Sequence, residues 1–122
     1  MKRNIKLLLI SLLIVLVFFF SFKRNNNEVN NDYTEYHFKN ETLLMEHYNK
    51  HGKDMGYKNA IEYEKAASDV INNEASLHKL EKEDNDDVYY VEETNEFVII
   101  SKDDYIRTYF LPDAGKKYFD KQ

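Results

Sequence analysis

The sequence predicts an α+β fold: an N-terminal membrane-anchor helix, then two helices packed on a three- to four-stranded antiparallel sheet. Three observations predict it. Residues 7–22 form an uncharged apolar run, residues 40–73 contain two segments with helical spacing of apolar side chains, and residues 88–111 contain three short runs rich in Val, Ile, Tyr and Phe. We therefore expect one α+β domain behind an anchor.

Residues 1–24 have the composition of a signal anchor, with five basic side chains and no acid. As a helix, the apolar run would span about 24 Å at 1.5 Å per residue, and the flanking lysines can reach the interfaces of a hydrocarbon core about 30 Å thick. Cleavage of a signal peptide usually needs small residues just after the apolar run. The residues at the end of this run include no Ala or Gly, which favours an uncleaved anchor over a cleaved signal peptide. The more basic N-terminal flank predicts a single-pass protein of the cell membrane, held through residues 5–23 with its C-terminal domain outside, or a secreted protein if the signal is cleaved.

The Asn-rich residues 25–32 are expected to form a flexible polar tether, which leaves residues 33–122 as the extracytoplasmic domain. Five of the 17 basic side chains lie in the first 24 residues, so the rest of the chain carries 12 basic and 22 acidic side chains and a charge near −10. Such a domain gains no long-range attraction to nucleic acid and is repelled by it, and its acidity fits solubility outside a cell or a basic protein partner equally well. The absence of Cys excludes disulfides, thiolate catalysis and thiolate metal sites.

The first helix is predicted to begin after Asn40, a suitable N-cap, and to end at Gly52, which we expect at the C′ position with a positive φ. Gly56 is expected to turn the chain again. Before this helix, residues 33–38 alternate aromatic and polar side chains and predict a short edge strand or an extended lead-in. The inner face of the helix is expected to consist of Leu43, Leu44, His47, Tyr48 and His51.

Asn59 is expected to open the second helix, with Glu62 three residues later as in a capping box. The helix should end at Asn72 and Asn73, and the polar, acidic residues 74–87 are expected to form a loop with at most one turn of helix. The buried side of this second helix is predicted to contain Ile61, Tyr63, Ala66, Ala67, Val70 and Ile71.

Strands are predicted at residues 88–92, 96–101 and 105–111, because β-branched and aromatic side chains are concentrated there. The links between them are short enough for hairpins, so the expected topology is an antiparallel meander. In the last strand, simple alternation predicts that Tyr105, Arg107 and Tyr109 share one face, opposite to Ile106, Thr108 and Phe110.

His47 and His51 lie one helical turn apart and form the first candidate site. They could transfer protons, since imidazole titrates near neutrality. They could chelate a metal such as zinc, although the HExxH pattern is absent and no third ligand stands at a recognisable spacing. They could also be structural, one packed in the core and the other exposed.

Arg107, in the run YIRTYF, is the second candidate, because its planar guanidinium suits oxyanions such as phosphate. An ordinary solvated cation on an open sheet face explains it equally well. Thr108 and Tyr118 could donate hydrogen bonds in the same site, but β-propensity and core packing also account for them. The acidic residues 81–87 lack the spacing and the glycine of a calcium loop, so a solvated loop is expected.

Four segments together resemble a known family: LLMEHYNKHGKDMGY, NAIEYEKAASDVINN, DDVYYVEETNEFVIIS and YIRTYFLPDAGKKYFDKQ. They are similar to a small C-terminal domain of bacterial polymorphic toxins and of secreted or membrane-tethered proteins of Gram-positive bacteria. That domain looks like a member of the metal-independent toxin ribonuclease superfamily, which includes barnase, EndoU, the tRNA-cutting colicins and RelE. The resemblance covers residues 38–122 and implies helices packed on an antiparallel sheet.

The chemistry that this resemblance implies is attack of a ribose 2′-OH on the adjacent phosphate of an RNA substrate, with no metal and no cofactor. His47 or His51 would transfer the proton, Arg107 would stabilise the phosphorane, and Thr108 and Tyr118 would orient the phosphate. Two other hypotheses stay open: a non-catalytic extracytoplasmic binding module on the same fold, and a small membrane protein whose anchor is its function. The binding module predicts an exposed aromatic patch drawn from Tyr89, Tyr90, Tyr105 and Tyr109.

Overall fold

A computed structural model of the chain describes residues 32–122. The predicted anchor, residues 1–24, and residues 25–31 of the predicted tether lie outside the described residues. Within the described part, no helix combines the length and the apolar character needed to cross a bilayer. The elements are β1 (His37–Phe38), α1 (Glu41–His47), a π-helical turn (Tyr48–Gly52), α2 (Ala60–Asn72), β2 (Leu77–Leu80), β3 (Asp87–Val91), β4 (Glu96–Ile100), β5 (Tyr105–Phe110) and α3 (Lys116–Asp120).

The strands form one five-stranded sheet in the order β1-β5-β4-β3-β2. The predicted α+β class and the antiparallel meander of β3, β4 and β5 are confirmed. The sheet is nevertheless mixed, because β1 pairs in parallel with β5, and it has five strands rather than three or four. The fifth is β2, which pairs with β3 inside the segment expected to be a loop. That expectation was wrong because an edge strand is held by backbone hydrogen bonds on one side and needs no apolar run.

Each of the two main helices begins at an asparagine N-cap, as predicted. The Asn40 side chain accepts a hydrogen bond from the backbone N–H of Leu43 at 2.9 Å, and the Asn59 side chain accepts one from Glu62 N–H at 2.8 Å. On α2 the stripe of Tyr63, Ala67 and Val70 is buried as expected. Ile61 was predicted to be buried but is 76% exposed, because it lies one residue round the helix from that stripe, next to the buried Ala60.

Gly52 does not have the positive φ that was predicted for it; among the described glycines Gly56 and Gly115 do. It lies inside the π-helical turn, whose N–H to carbonyl bond joins Lys53 to Tyr48 at 3.0 Å. A Cβ on Gly52 would lie 2.5 Å from Tyr48 Cδ2 and 2.9 Å from the Tyr63 ring. Glycine is therefore needed here for close packing rather than for backbone conformation.

A hydrophobic cluster covers each face of the sheet, and a β-bulge at Arg107 changes which residues of β5 join them. Ile99 pairs with Thr108 and Ile100 pairs with Ile106, which leaves Arg107 as the extra residue. The alternation predicted for β5 is wrong beyond this point because a bulge shifts it by one residue. The larger cluster, under α2, includes both Ile106 and Tyr109, and the smaller one, under α3, includes Phe97, Phe119 and the partly buried Phe110.

Candidate active site

A cleft of about 340 Å³ lies where β1 and α1 meet the β4–β5 turn and the start of β5. Two of the candidate residues, His47 and Arg107, both line it. His47 is the last residue of α1, and Arg107 is the bulged residue of β5. The cleft wall consists of Phe38, Lys39, Leu43, His47, Ser101, Asp103, Tyr105, Ile106 and Arg107.

His47 is half-buried, with its ring centroid 5.0 Å from that of Phe38. Its Nδ1 is buried and has no hydrogen-bond partner among the described residues. Burial lowers the pKa of His47 below its ordinary value, and the positive charges of His51 and Lys50 lower it further. The imidazole is therefore neutral near pH 7, which is the state that accepts a proton.

His51 lies beside this position but is not part of the cleft wall. The two imidazole centroids are 6.2 Å apart, and the His51 ring stacks on Phe110 at 5.2 Å. Burial lowers the pKa of His51 as well, followed by the charge of Lys50. These contacts make His51 a packing residue at the end of β5, and in its protonated form it lowers the pKa of His47 from outside the cleft.

Arg107 meets three carboxylates of the β2–β3 loop through a single nitrogen. Its Nη1 donates to Asp86, lies 3.2 Å from Asp84 Oδ2 and lies 3.8 Å from Glu81 Oε1. The hydrogen bond to Asp86, and then the one to Asp84, raises the pKa of Arg107. Burial, followed by the charge of Asp86 and the hydrogen bond with Asp84, raises the pKa of Glu81, since three acids here surround one cation.

The acidic loop is thus an ion-pair cluster rather than the freely solvated segment that was expected. Asp86 is buried, with 5% of its surface exposed. In the described part of the chain, these three carboxylates are the group whose oxygens lie close enough, within 4.8 Å, to share a cation. The guanidinium of Arg107 already supplies a positive charge to that group.

Thr108 and Tyr118, the remaining predicted site residues, are not part of the cleft wall. Thr108 stands opposite Ile99 in the β4–β5 pair. The Tyr118 ring packs on Phe97 at 4.9 Å and on Phe110 at 5.4 Å, in the cluster under α3. The structure therefore brings together His47 and Arg107 and places the other candidates around or behind them.

Sequence reasoning missed Lys39 and Asp103, which line the cleft beside His47 and Arg107, and it named Tyr105, which also lines the cleft, only as part of an aromatic patch for the binding module. Lys39 has no salt bridge within residues 32–122, and Tyr105 is 39% exposed. An unpaired lysine is a ligand for anions, and an exposed tyrosine ring is a surface on which a base can stack. The sequence signal that could have found them is weak, because their proximity depends on the parallel pairing of β1 with β5.

The fold and the site together define a small α+β domain with an imidazole and a guanidinium in one cleft at an edge of its sheet. A solved structure with a similar fold is described as a ribonuclease from Escherichia coli complexed with its inhibitor protein, with a TM-score of 0.51 and 21% sequence identity. The match covers 63% of this chain and 95% of that one. The fold of residues 32–122 thus resembles that of a bacterial ribonuclease. No family description matches the chain, and no curated protein does.

Proposed function

We propose that residues 33–122 form a metal-independent ribonuclease domain. The observation that carries the proposal is that His47 and Arg107 line one cleft, so that a proton acceptor and an oxyanion ligand meet in the same space. The similarity of the fold to a bacterial ribonuclease supports it. The exposed Tyr105 and the unpaired Lys39 in the cleft wall fit a substrate with bases and phosphates.

The reaction is the attack of a ribose 2′-OH on the adjacent phosphorus. His47 takes the 2′ proton as the new P–O bond forms, because burial keeps its imidazole neutral. The bond from phosphorus to the 5′-oxygen breaks, and that oxygen takes a proton from water, which leaves a 2′,3′-cyclic phosphate and a 5′-OH. The hydroxide so formed takes the proton from His47 and restores the neutral imidazole. Arg107 and Lys39 offset the negative charge that builds up on the phosphorane. Thr108 and Tyr118 receive no role because neither lines the cleft.

The expected location and partners complete the proposal. Residues 5–23 would hold the protein in the cell membrane with the domain outside, or would be removed if the signal is cleaved. The ribonuclease with a similar fold is complexed with an inhibitor protein. A protein partner is equally suitable for this domain, and the charge near −10 beyond residue 24 favours one with a basic surface.

A non-catalytic binding module is the second candidate function, and the ion pairs of Arg107 favour it. A guanidinium shared by Asp84, Asp86 and Glu81 is less available to phosphate than a free one. The aromatic patch that this alternative predicted is reduced, however, because Tyr90 and Tyr109 are buried.

RNA cleavage by the purified full-length protein, in a non-ionic detergent with EDTA present, separates the two functions. The variants are His47→Gln and Arg107→Lys, and the matched control is His78→Gln, because His78 is exposed and bonds to Asp87 away from the cleft. We expect each cleft variant to lose about 100-fold or more in rate, the usual contribution of a proton-transfer group for His47 and of a ligand for the developing charge for Arg107. The control should retain the activity of the unchanged protein.

The result that would overturn the ribonuclease proposal is no cleavage by a protein whose circular dichroism and cooperative unfolding show it to be folded. Equal activity in the unchanged protein and in His47→Gln would also overturn it. Either outcome would favour the binding module.

A further inference from the structure

We propose that Asp86 is a positioning residue that fixes the Arg107 guanidinium for phosphate binding, and that Asp84 weakens the affinity of that guanidinium for phosphate. This inference rests on the proposed function, since it assigns Arg107 as the phosphate ligand. It concerns two residues of the β2–β3 loop, outside the wall of the cleft.

All three carboxylates meet the same nitrogen of Arg107. Asp86 and Asp84 accept hydrogen bonds from Nη1, and Glu81 lies 3.8 Å from it, whereas Nε and Nη2 make no hydrogen bond within residues 32–122. The edge formed by Nε and Nη2 can donate two parallel hydrogen bonds to one phosphate. The carboxylates therefore hold one end of the guanidinium and leave a two-donor edge for a ligand.

Asp86 is held in place by the fold. Its side chain is 6% exposed, and the loop that carries it is closed by a hydrogen bond from Glu81 N–H to its backbone carbonyl at 2.9 Å. A long, flexible arginine side chain loses less entropy on binding a ligand when a fixed carboxylate already restricts it. Asp86 therefore makes Arg107 a preorganised anion ligand.

Asp84, in contrast to Asp86, is exposed. Its side chain is 58% exposed near the tip of the loop, next to Asn85, whose φ is 59°. Asp86 already supplies one negative charge to Arg107, so Asp84 adds a surplus charge 3.2 Å from Nη1. That surplus repels an incoming phosphate while contributing little to the position of the guanidinium.

The test is a titration of the full-length protein, in a non-ionic detergent, with inorganic phosphate, followed by the NMR signal of Arg107 Nε–H. The variants are Asp84→Asn and Asp86→Asn, and the matched control is Glu83→Gln, an exposed acid of the same loop that does not contact Arg107. We expect Asp84→Asn to tighten phosphate binding by up to about fivefold, the factor that one exposed ion pair is worth. Asp86→Asn should weaken binding, and Glu83→Gln should leave it unchanged.

RNA cleavage by the same proteins gives the second readout. We expect Asp84→Asn to lower KM, and Asp86→Asn to lower kcat because a misplaced guanidinium stabilises the transition state less well. If Asp84→Asn and Glu83→Gln change phosphate binding equally, the effect is one of overall charge and the inference fails. It also fails if Asp84→Asn weakens binding, or if neither the unchanged protein nor Asp84→Asn binds phosphate.

Failure of the proposed function is distinguishable from failure of this inference. A protein that cleaves no RNA, but whose phosphate affinity rises in Asp84→Asn alone and falls in Asp86→Asn, supports the inference and contradicts the ribonuclease. If Asp86→Asn does not fold, the comparison of Asp84→Asn with Glu83→Gln still decides the role of Asp84.

Discussion

Gly52 shows how a single missing side chain brings the first helical segment against the second. We expect Gly52→Ala to lower the free energy of unfolding by about 2 kcal/mol, within the usual cost of overpacking a core. The reason is that its Cβ would meet the buried rings of Tyr48 and Tyr63 at 2.5 and 2.9 Å. In an exposed helix the same change would stabilise the protein by about 1 kcal/mol, so the expected sign is the opposite of the helix-propensity effect. Urea unfolding measures it.

Gly56→Ala is the contrasting variant for this prediction. Gly56 has a φ of 93°, but an added Cβ there would meet no atom within 4 Å. Its cost should be the backbone strain alone, about 1–2 kcal/mol. A Gly52→Ala protein that is as stable as the unchanged one, or more stable, would show that the Tyr48 ring can move aside and that the packing argument is wrong.

Residue by residue, the sequence was a good guide wherever the physical cause is local. Asn40 and Asn59 were predicted as N-caps because a cap bonds to a backbone N–H three residues away. The carboxylate partners of Arg107 were not predicted, since Asp84 and Asp86 lie 23 and 21 residues before it. Gly52 was recognised as important for the wrong reason, because the Tyr63 ring that excludes a Cβ belongs to another helix.

At the scale of elements, two polar side chains of α2, one helical turn apart, hydrogen-bond to alternate residues of the extended chain before β1. The Ser68 hydroxyl accepts a hydrogen bond from the Tyr36 N–H at 2.8 Å and donates one to the Tyr36 carbonyl at 3.0 Å. One turn further along the helix, the Asn72 side-chain amide accepts from the Thr34 N–H at 2.9 Å and donates to the Thr34 carbonyl at 2.7 Å. Four helical residues rise about 6 Å and two extended residues rise about 6.6 Å, so the two sets of groups stay in register.

We expect Ser68→Ala to lower the free energy of unfolding by about 1–2 kcal/mol, because it leaves the backbone N–H and carbonyl of Tyr36 without their partner. Hydrogen exchange at the Tyr36 amide should become faster than in the unchanged protein. Lys65→Ala is the control, because Lys65 is an exposed residue of the same helix. If exchange at the Tyr36 amide keeps its rate in Ser68→Ala, the hydroxyl does not hold this segment.

The elements that the sequence did not reveal are those that depend on distant partners. The three strands of the meander carry enough β-branched and aromatic side chains to be recognised alone. The strand β2, with the sequence LHKL, is a strand because β3 lies beside it. The bulge at Arg107 likewise depends on its pairing with β4 and shifted the predicted faces of Thr108 and Tyr109.

At the scale of the whole domain, the cleft results from topology. The parallel pairing of β1 with β5 brings the loop that contains Lys39 to the β4–β5 turn, 60 or more residues further along the chain. A resemblance of motifs predicted that His47 and Arg107 belong to one site, but composition and periodicity alone could not place them together. The bulge then puts Arg107 in the cleft wall, within reach of the β2–β3 loop.

The histidines make the free energy of unfolding depend on pH, and the effect of His47 and His51 is opposite in sign to that of His37. Burial lowers the pKa values of His47 and His51 in the folded protein, so their contribution is complete above the unfolded value of about 6.5 and is lost as the pH falls through the folded values. The hydrogen bond to Glu64 raises the pKa of His37, so its contribution is complete below 6.5 and is lost as the pH rises through the folded value. We therefore expect the free energy of unfolding to be greatest near pH 6.5.

Urea unfolding between pH 5 and 8 measures this profile, and single variants assign its two sides. His47→Gln and His51→Gln should each flatten the decline below pH 6.5, because a glutamine binds no proton in either state. His37→Gln should flatten the decline above pH 6.5 and leave the acid side as it is. Each variant's free energy of unfolding is expressed relative to its own value at pH 6.5, which removes the effect of any change in packing. If His47→Gln and His51→Gln leave the acid slope unchanged, the decline there arises from the carboxylates, and burial has not lowered the pKa of either imidazole.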